Sequence, residues 1–124
     1  MTAAVPTGGA PADPGAIQGW HAHVYFGPET REQAAWLRER IAEAFPEAVL
    51  GRWHDRPVGP HAEAMYQVAF PVALFPRLVP FLALNRRGLT VLVHPETGRQ
   101  RADHLEHALW LGAMLPLDAS VLPE

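Results

Sequence analysis

Cysteine is absent from this 124-residue chain. That one absence removes disulfides, zinc-thiolate sites, iron–sulfur clusters and a thiolate nucleophile together. Any metal site must be built from His, Asp, Glu, backbone and water, a ligand set that suits Fe(II), Zn(II) or Mn(II). Long apolar runs are missing too, and the longest stop far short of the ~20 residues that span a bilayer. A basic excess is missing as well. The formal net charge is −3 with neutral histidines, so there is no general attraction for nucleic-acid phosphates. The N-terminus MTAAVPTGGAPADPGAIQG has neither a basic segment nor a compact apolar core of secretory type. A cytoplasmic protein is therefore the expectation.

What is present fits one folded domain. The chain is 48% hydrophobic and 19% charged, the range of ordinary globular proteins. Residues 1–18 are rich in Ala, Gly and Pro and are expected to form a mobile tail. The domain is placed at 19–124.

Trp20-His21-Ala22-His23-Val24-Tyr25-Phe26 alternates in character and reads as a strand. Alternation sends Trp20, Ala22, Val24 and Phe26 to one face and His21, His23 and Tyr25 to the other. Thr30 with Gln33 has the form of a capping box, and Ala34, Leu37, Ile41, Ala44 and Phe45 follow at helical spacing up to Pro46. Val49–His54 and Met65–Phe70 are the next strands, and Tyr66, Val68 and Phe70 give the latter its core face. Phe75 to Asn85 predicts a second helix, with Pro76 in its first turn and Pro80 awkward inside it. Leu89–His94 is a fourth strand. Asp103 is the expected N-cap of a last helix, with Glu106 at N3 and Leu105, Ala108 and Leu109 on its face.

The order β-α-β-β-α-β with an extra C-terminal helix is the ferredoxin-like α+β sandwich. It has an antiparallel sheet, both helices on one face, and the first strand central beside the fourth. The open face invites a partner, so a homodimer through it is expected.

Seven histidines are the informative part. His21 and His23 point to the open face. Packing Leu89, Val91 and Val93 under the helices sends His94 there too, next to His21 or His23. His61 lies in the Pro57-Val58-Gly59-Pro60-His61 loop, stiffened by two prolines. Three or four imidazoles gathered on one face make a site for a first-row metal and leave coordination positions free. Each histidine also has a plainer reading as a surface or hydrogen-bonded residue. That reading is strongest for His54, for His104 beside the supposed cap, and for His107 on a solvent face. Trp110, Leu111 and Leu115 read as packing. Arg86 and Arg87 read as a solvated helix end that can also meet a substrate carboxylate.

Five segments taken together resemble the DOPA 4,5-dioxygenase family of fungal pigment enzymes and small bacterial relatives. They are His21–Phe26, Pro57–His61, Leu92-Val93-His94-Pro95-Glu96-Thr97-Gly98, Asp103-His104 and Trp110-Leu111-Gly112. The resemblance covers roughly residues 19–122. Ala62 departs from it, standing where a proline is expected after His61. The resemblance implies extradiol cleavage of a catechol such as L-DOPA at the 4,5 bond, sometimes at 2,3, with non-haem Fe(II) and O2. The 4,5-seco product cyclises to betalamic acid. The expected ligands are His23, His61 and His94, with His21 as a fourth ligand or a base, and Zn(II) or another divalent ion able to substitute. His21 or His104 is the expected proton carrier, and the sequence does not choose between them. Tyr25 is expected either to hydrogen-bond a bound oxygen or to pack. Three rival readings stand beside this one: a ferredoxin-like dimer that binds a metal or small ligand without chemistry, a cofactor-free monooxygenase of related fold, and a plain interaction module.

Overall fold

The computed structural model describes residues 8–124. The first regular element is β1, Gly19–Phe26, followed by α1, Arg31–Ala44, and a short β2, Val49–Leu50. β3 is Ala64–Phe70, α2 is Phe75–Asn85 and β4 is Val91–Glu96. Two further elements close the chain: α3, Gln100–Leu105, and β5, Leu109–Leu111. The sheet order is β2-β3-β1-β4-β5, and every pairing is antiparallel. The β-α-β-β-α-β order and the central β1 are as expected.

One face of the sheet makes the main core. Ala22, Val24 and Phe26 of β1, Tyr66, Val68 and Phe70 of β3, and Val91 and Val93 of β4 are buried there. Ala34, Leu37 and Ile41 of α1 and Leu78 and Leu82 of α2 lie against them. Burial of these side chains supplies the main driving force for folding. The Tyr66 hydroxyl sits inside this core and donates to Ala34 O at 2.9 Å. Pro80 is accommodated within α2. Its ring removes the N–H that would otherwise bond Pro76 O, in the helix's first turn.

Several local expectations need correction. Thr30 does not cap α1 with its side chain; its Oγ1 accepts from Gly27 N at 2.9 Å and closes the preceding turn. The strand expected over 49–54 is regular only at Val49–Leu50. Leu50 lies opposite Val68 and His54 opposite Met65, so four steps on one side run against three on the other. That extra residue is a bulge. β4 begins at Val91, not Leu89, and runs on through Glu96. The last helix starts earlier than expected, and Asp103 lies inside it. The Asp103 carboxylate is buried and accepts from Thr97 N at 2.8 Å and from Thr97 Oγ1 at 2.7 Å. It therefore fastens the β4–α3 turn. Ala108 and Leu109 are outside the helix, and Leu109 opens β5 on the outer edge of β4.

The face away from α1 and α2 is only partly open. Tyr25, Met65 and Leu92 are buried on it beneath Ala108, Trp110, Leu115 and Leu117. The chain's own C-terminal third thus occupies part of the face through which a dimer was expected. Of the tail expected over residues 1–18, residues 1–7 lie outside the described residues. Asp13 caps a 3₁₀ turn at Pro14–Ala16, and Gln18 N donates to Glu96 O at 2.8 Å. Among the described residues no helix is long and apolar enough to cross a membrane.

Candidate metal centre

The second face carries the histidines. In the β1–β4 register His21 stands opposite His94 and His23 opposite Leu92. His61 reaches the same place from its loop. Gly59 takes a left-handed φ of 58°, the conformation a side chain disfavours. His61 N bonds Val58 O, and Asp118 N bonds Pro60 O, so the loop is tied to itself and to the C-terminal segment. α3 brings His104.

These five imidazoles fall into two sets that share one member. His21, His23 and His94 offer ring nitrogens within 4.8 Å of one another, and so do His23, His61 and His104. The expected trio His23, His61 and His94 is thus divided between the sets, and His104 stands with His23 and His61 in the second. His23, His61, His94 and His104 are all buried. Metal–nitrogen bonds of about 2.1 Å would draw the nitrogens of either set to roughly 3–3.4 Å apart.

Most outer nitrogens are already held. His94 Nδ1 lies 3.0 Å from Pro95 O, and His104 Nδ1 lies 2.7 Å from Gln100 O. A carbonyl only accepts, so both rings carry the proton on Nδ1 and present a bare Nε2. His21 Nδ1 is 2.8 Å from Glu96 Oε1. His61 Nδ1 is 2.7 Å from the Tyr25 hydroxyl. Ring N–H groups anchored by carbonyl, carboxylate or hydroxyl behind the lone pair are the usual support of metal-bound imidazoles. His23 is the exception, for its Nδ1 is buried without a hydrogen-bond partner among the described residues. An orphaned nitrogen at the member common to both sets fits a cation bound there.

The electrostatics agree. Burial, then the neighbouring His104, pushes His94 down to about 3. The same two causes bring His61 to about 4. Burial, then His61, holds His23 well below the ordinary histidine range. Burial, then His104, lowers His21, and burial raises Glu96, so that contact is a neutral imidazole donating to a carboxylate. Near neutral pH His21, His23, His61 and His94 are free bases, the form that binds metal.

A pH dependence follows for the metal-free protein. Unfolded histidines take up protons near pH 6.5, whereas His61 and His94 resist until about 4 and 3. The unfolded state therefore binds more protons across that window, and stability falls as pH falls through it. Denaturant melts with EDTA present should lose on the order of 3 kcal/mol or more between pH 7 and pH 4. A flat profile over that range would contradict the burial of neutral imidazoles.

Next to the rings is a cavity of about 240 Å³ lined by His21, His23, His61 and His104, with Gln67, Glu96, Gln100 and Leu122. A wider cleft of about 440 Å³ adjoins it and shares His21 and Glu96. Tyr25 and His94 line neither; Tyr25 stands behind His61. Glu96 and Gln67 were given no role from the sequence. Both were legible by alternation, since Glu96 is two residues from His94 on β4 and Gln67 stands opposite His23 on β3. His54 bridges to Met65 away from the cavity, and His107 lines a separate apolar hollow beside Asp13 and Thr97.

Fold and site together define a small α+β protein whose imidazole cluster is able to hold a metal ion beside a cavity of about 240 Å³. The chain belongs to the Dopa 4,5-dioxygenase family, whose model matches residues 20–121. It is 37% identical over 123 residues to a 21.2 kDa protein of Botryotinia fuckeliana, covering 90% of this chain and 67% of that one. It is 35% identical over 115 residues to a DOPA 4,5-dioxygenase of Amanita muscaria. That match covers 86% of this chain, which spans half the length of the Amanita protein. The crystal structure of a candidate dioxygenase from Nostoc punctiforme superposes with a TM-score of 0.88 at 50% identity, covering 90% of this chain and 96% of that one. These findings support an oxygenase, an enzyme that takes a small-molecule substrate and O2.

Proposed function

We propose that the chain is an extradiol dioxygenase that opens the ring of a catechol such as L-DOPA, with Fe(II) held by His23, His61 and His104. The observation that carries this reading is that these three rings line the cavity while protein groups behind hold His61 and His104 by Nδ1. A substrate in the cavity meets an ion held there directly. A bound Fe(II) supplies the Lewis acidity that favours the catecholate and the redox chemistry that lets O2 react with the ring.

The chain's own residues prepare the substrate. His21 lines both hollows and has its Nδ1–H fixed on Glu96, so its Nε2 is the base for a catechol hydroxyl. The Glu96 carboxylate stabilises the imidazolium that forms. Gln67 and Gln100 offer amide groups to the substrate oxygens. The 240 Å³ hollow suits a single ring, being smaller than the ~300–1,000 Å³ of drug-sized sites. The adjoining cleft is where a ring substituent extends. Both atoms of O2 enter the opened product; cleavage of L-DOPA at the 4,5 bond gives a seco acid that cyclises to betalamic acid, and 2,3 cleavage gives its isomer.

The role assigned to Tyr25 is to orient His61. Tyr25→Phe removes the oxygen that His61 Nδ1 meets at 2.7 Å and is expected to weaken metal binding about 10–100-fold. Unchanged metal affinity by competitive titration would refute that role.

The proposal is tested by loading the protein with Fe(II) anaerobically and following oxygen uptake on a catechol panel. One O2 consumed per catechol, with a yellow ring-opened product, is the expected result. No uptake with any catechol contradicts it. Tight Zn(II) binding without uptake under Fe(II) would point to a non-catalytic binder, and uptake indifferent to chelators to a cofactor-free enzyme.

A further inference from the structure

His23 Nε2 lies 3.0 Å from His94 Nε2, deep in the protein. Two bare nitrogens at that distance would repel, so one of them carries a proton or both face a common ion. The His94 ring answers the question from its other side. Its Nδ1 is 3.0 Å from Pro95 O and must be the N–H. A neutral imidazole carries one ring proton, so His94 Nε2 is bare, and with no ion between the rings His23 Nε2–H must be the donor to it. That leaves His23 with its lone pair on Nδ1, the nitrogen that is buried and partnerless.

We infer that His94 is a positioning residue and not a metal ligand: it accepts the His23 Nε2–H and thereby turns His23 Nδ1 into the ligand atom. The arrangement parallels the other rings with nitrogens exchanged. His104 is held by Nδ1 on Gln100 O, and His23 is held by Nε2 on His94. It also explains why His94 is wholly buried and absent from the cavity wall, whereas His23, His61 and His104 line it. His94 extends the support one step further, from the Pro95 carbonyl through its own ring to His23. The inference rests on the reading of this cluster as a metal site, and it is independent of whether the substrate is a catechol.

The test is long-range ¹⁵N–¹H NMR of histidine-labelled protein, first free of metal and then with one equivalent of Zn(II). The expected metal-free spectrum shows His23 protonated on Nε2 and His94 on Nδ1. Zinc should then shift His23 Nδ1 by the amount typical of coordination and leave His94 Nε2 as an acceptor. Coordination shifts at His94 Nε2 and His23 Nε2 together would overturn the inference while leaving the metal site standing. No zinc shift at any imidazole would overturn the metal reading, and the inference with it. Substitution gives a second readout. His94→Gln keeps an acceptor oxygen and should hold Zn(II) within about tenfold of the native chain, while His94→Leu should weaken it about 10–100-fold. If both lose zinc as completely as His23→Ala, His94 is a ligand.

Discussion

His23→Ala is expected to abolish stoichiometric metal binding and, with it, all oxygen uptake. His23 belongs to both imidazole sets, so no arrangement of one ion on this face avoids it. Losing a supporting hydrogen bond around a metal reduces affinity about 10–100-fold; losing the shared ligand should exceed that. The fold should survive. The substitution removes a buried nitrogen that has no hydrogen-bond partner among the described residues, which offsets part of the lost packing. The check is metal content after gel filtration, with a thermal melt to show that the variant is folded. Retention of one equivalent of Fe(II) by folded His23→Ala would show that the ion, if any, binds elsewhere.

His21→Ala should separate chemistry from metal binding. His21 is part-exposed at the junction of the two hollows, with Glu96 2.8 Å from its Nδ1. In the proposed reaction it moves a proton and does not hold the ion. Removing a positioned general base slows turnover about 10²–10⁴-fold, so kcat should fall by that amount while metal content stays at one equivalent. Glu96→Gln should fall in the same direction by less, because the amide oxygen still accepts from Nδ1–H but no longer stabilises the imidazolium. A His21→Ala enzyme with native kcat would remove His21 from the proton path. One that loses its metal would return His21 to the ligands and favour the set His21, His23 and His94.

These two experiments probe residues whose placement was readable to different degrees. The alternation of Trp20–Phe26 correctly separates His21, His23 and Tyr25 from the core-facing Ala22, Val24 and Phe26, because a strand with one buried face imposes a strict period of two. The same rule places His94, since β4 buries Val91 and Val93 under the helices. Gly59 between two prolines also foretells the tight turn that delivers His61. The C-terminal third was less legible. Asp103 has the form of a helix cap, yet its carboxylate serves Thr97 six residues earlier, across a turn in which Gly98 takes a φ of 92°. With the cap misplaced, His104 reads as a helix-end residue or a proton carrier and not as a metal ligand. β5 is three residues long, too short for a periodic signal, and it exists because β4 offers a free edge. The covering of Tyr25 and Leu92 by Trp110, Leu115 and Leu117 is tertiary and leaves no local mark. Glu96 and Gln67 were visible by alternation, but they carry meaning only once β1 lies between β3 and β4, with His21 beside Glu96 and His23 opposite Gln67.

The most direct measurement of the central claim is X-ray absorption at the iron edge of protein loaded anaerobically with one equivalent of Fe(II). Convergent imidazoles around one ion predict about three nitrogen scatterers near 2.1 Å with the outer-ring multiple scattering of histidine, and the removal of one such scatterer in His104→Ala. A shell of oxygens alone, without imidazole scattering, would contradict the account.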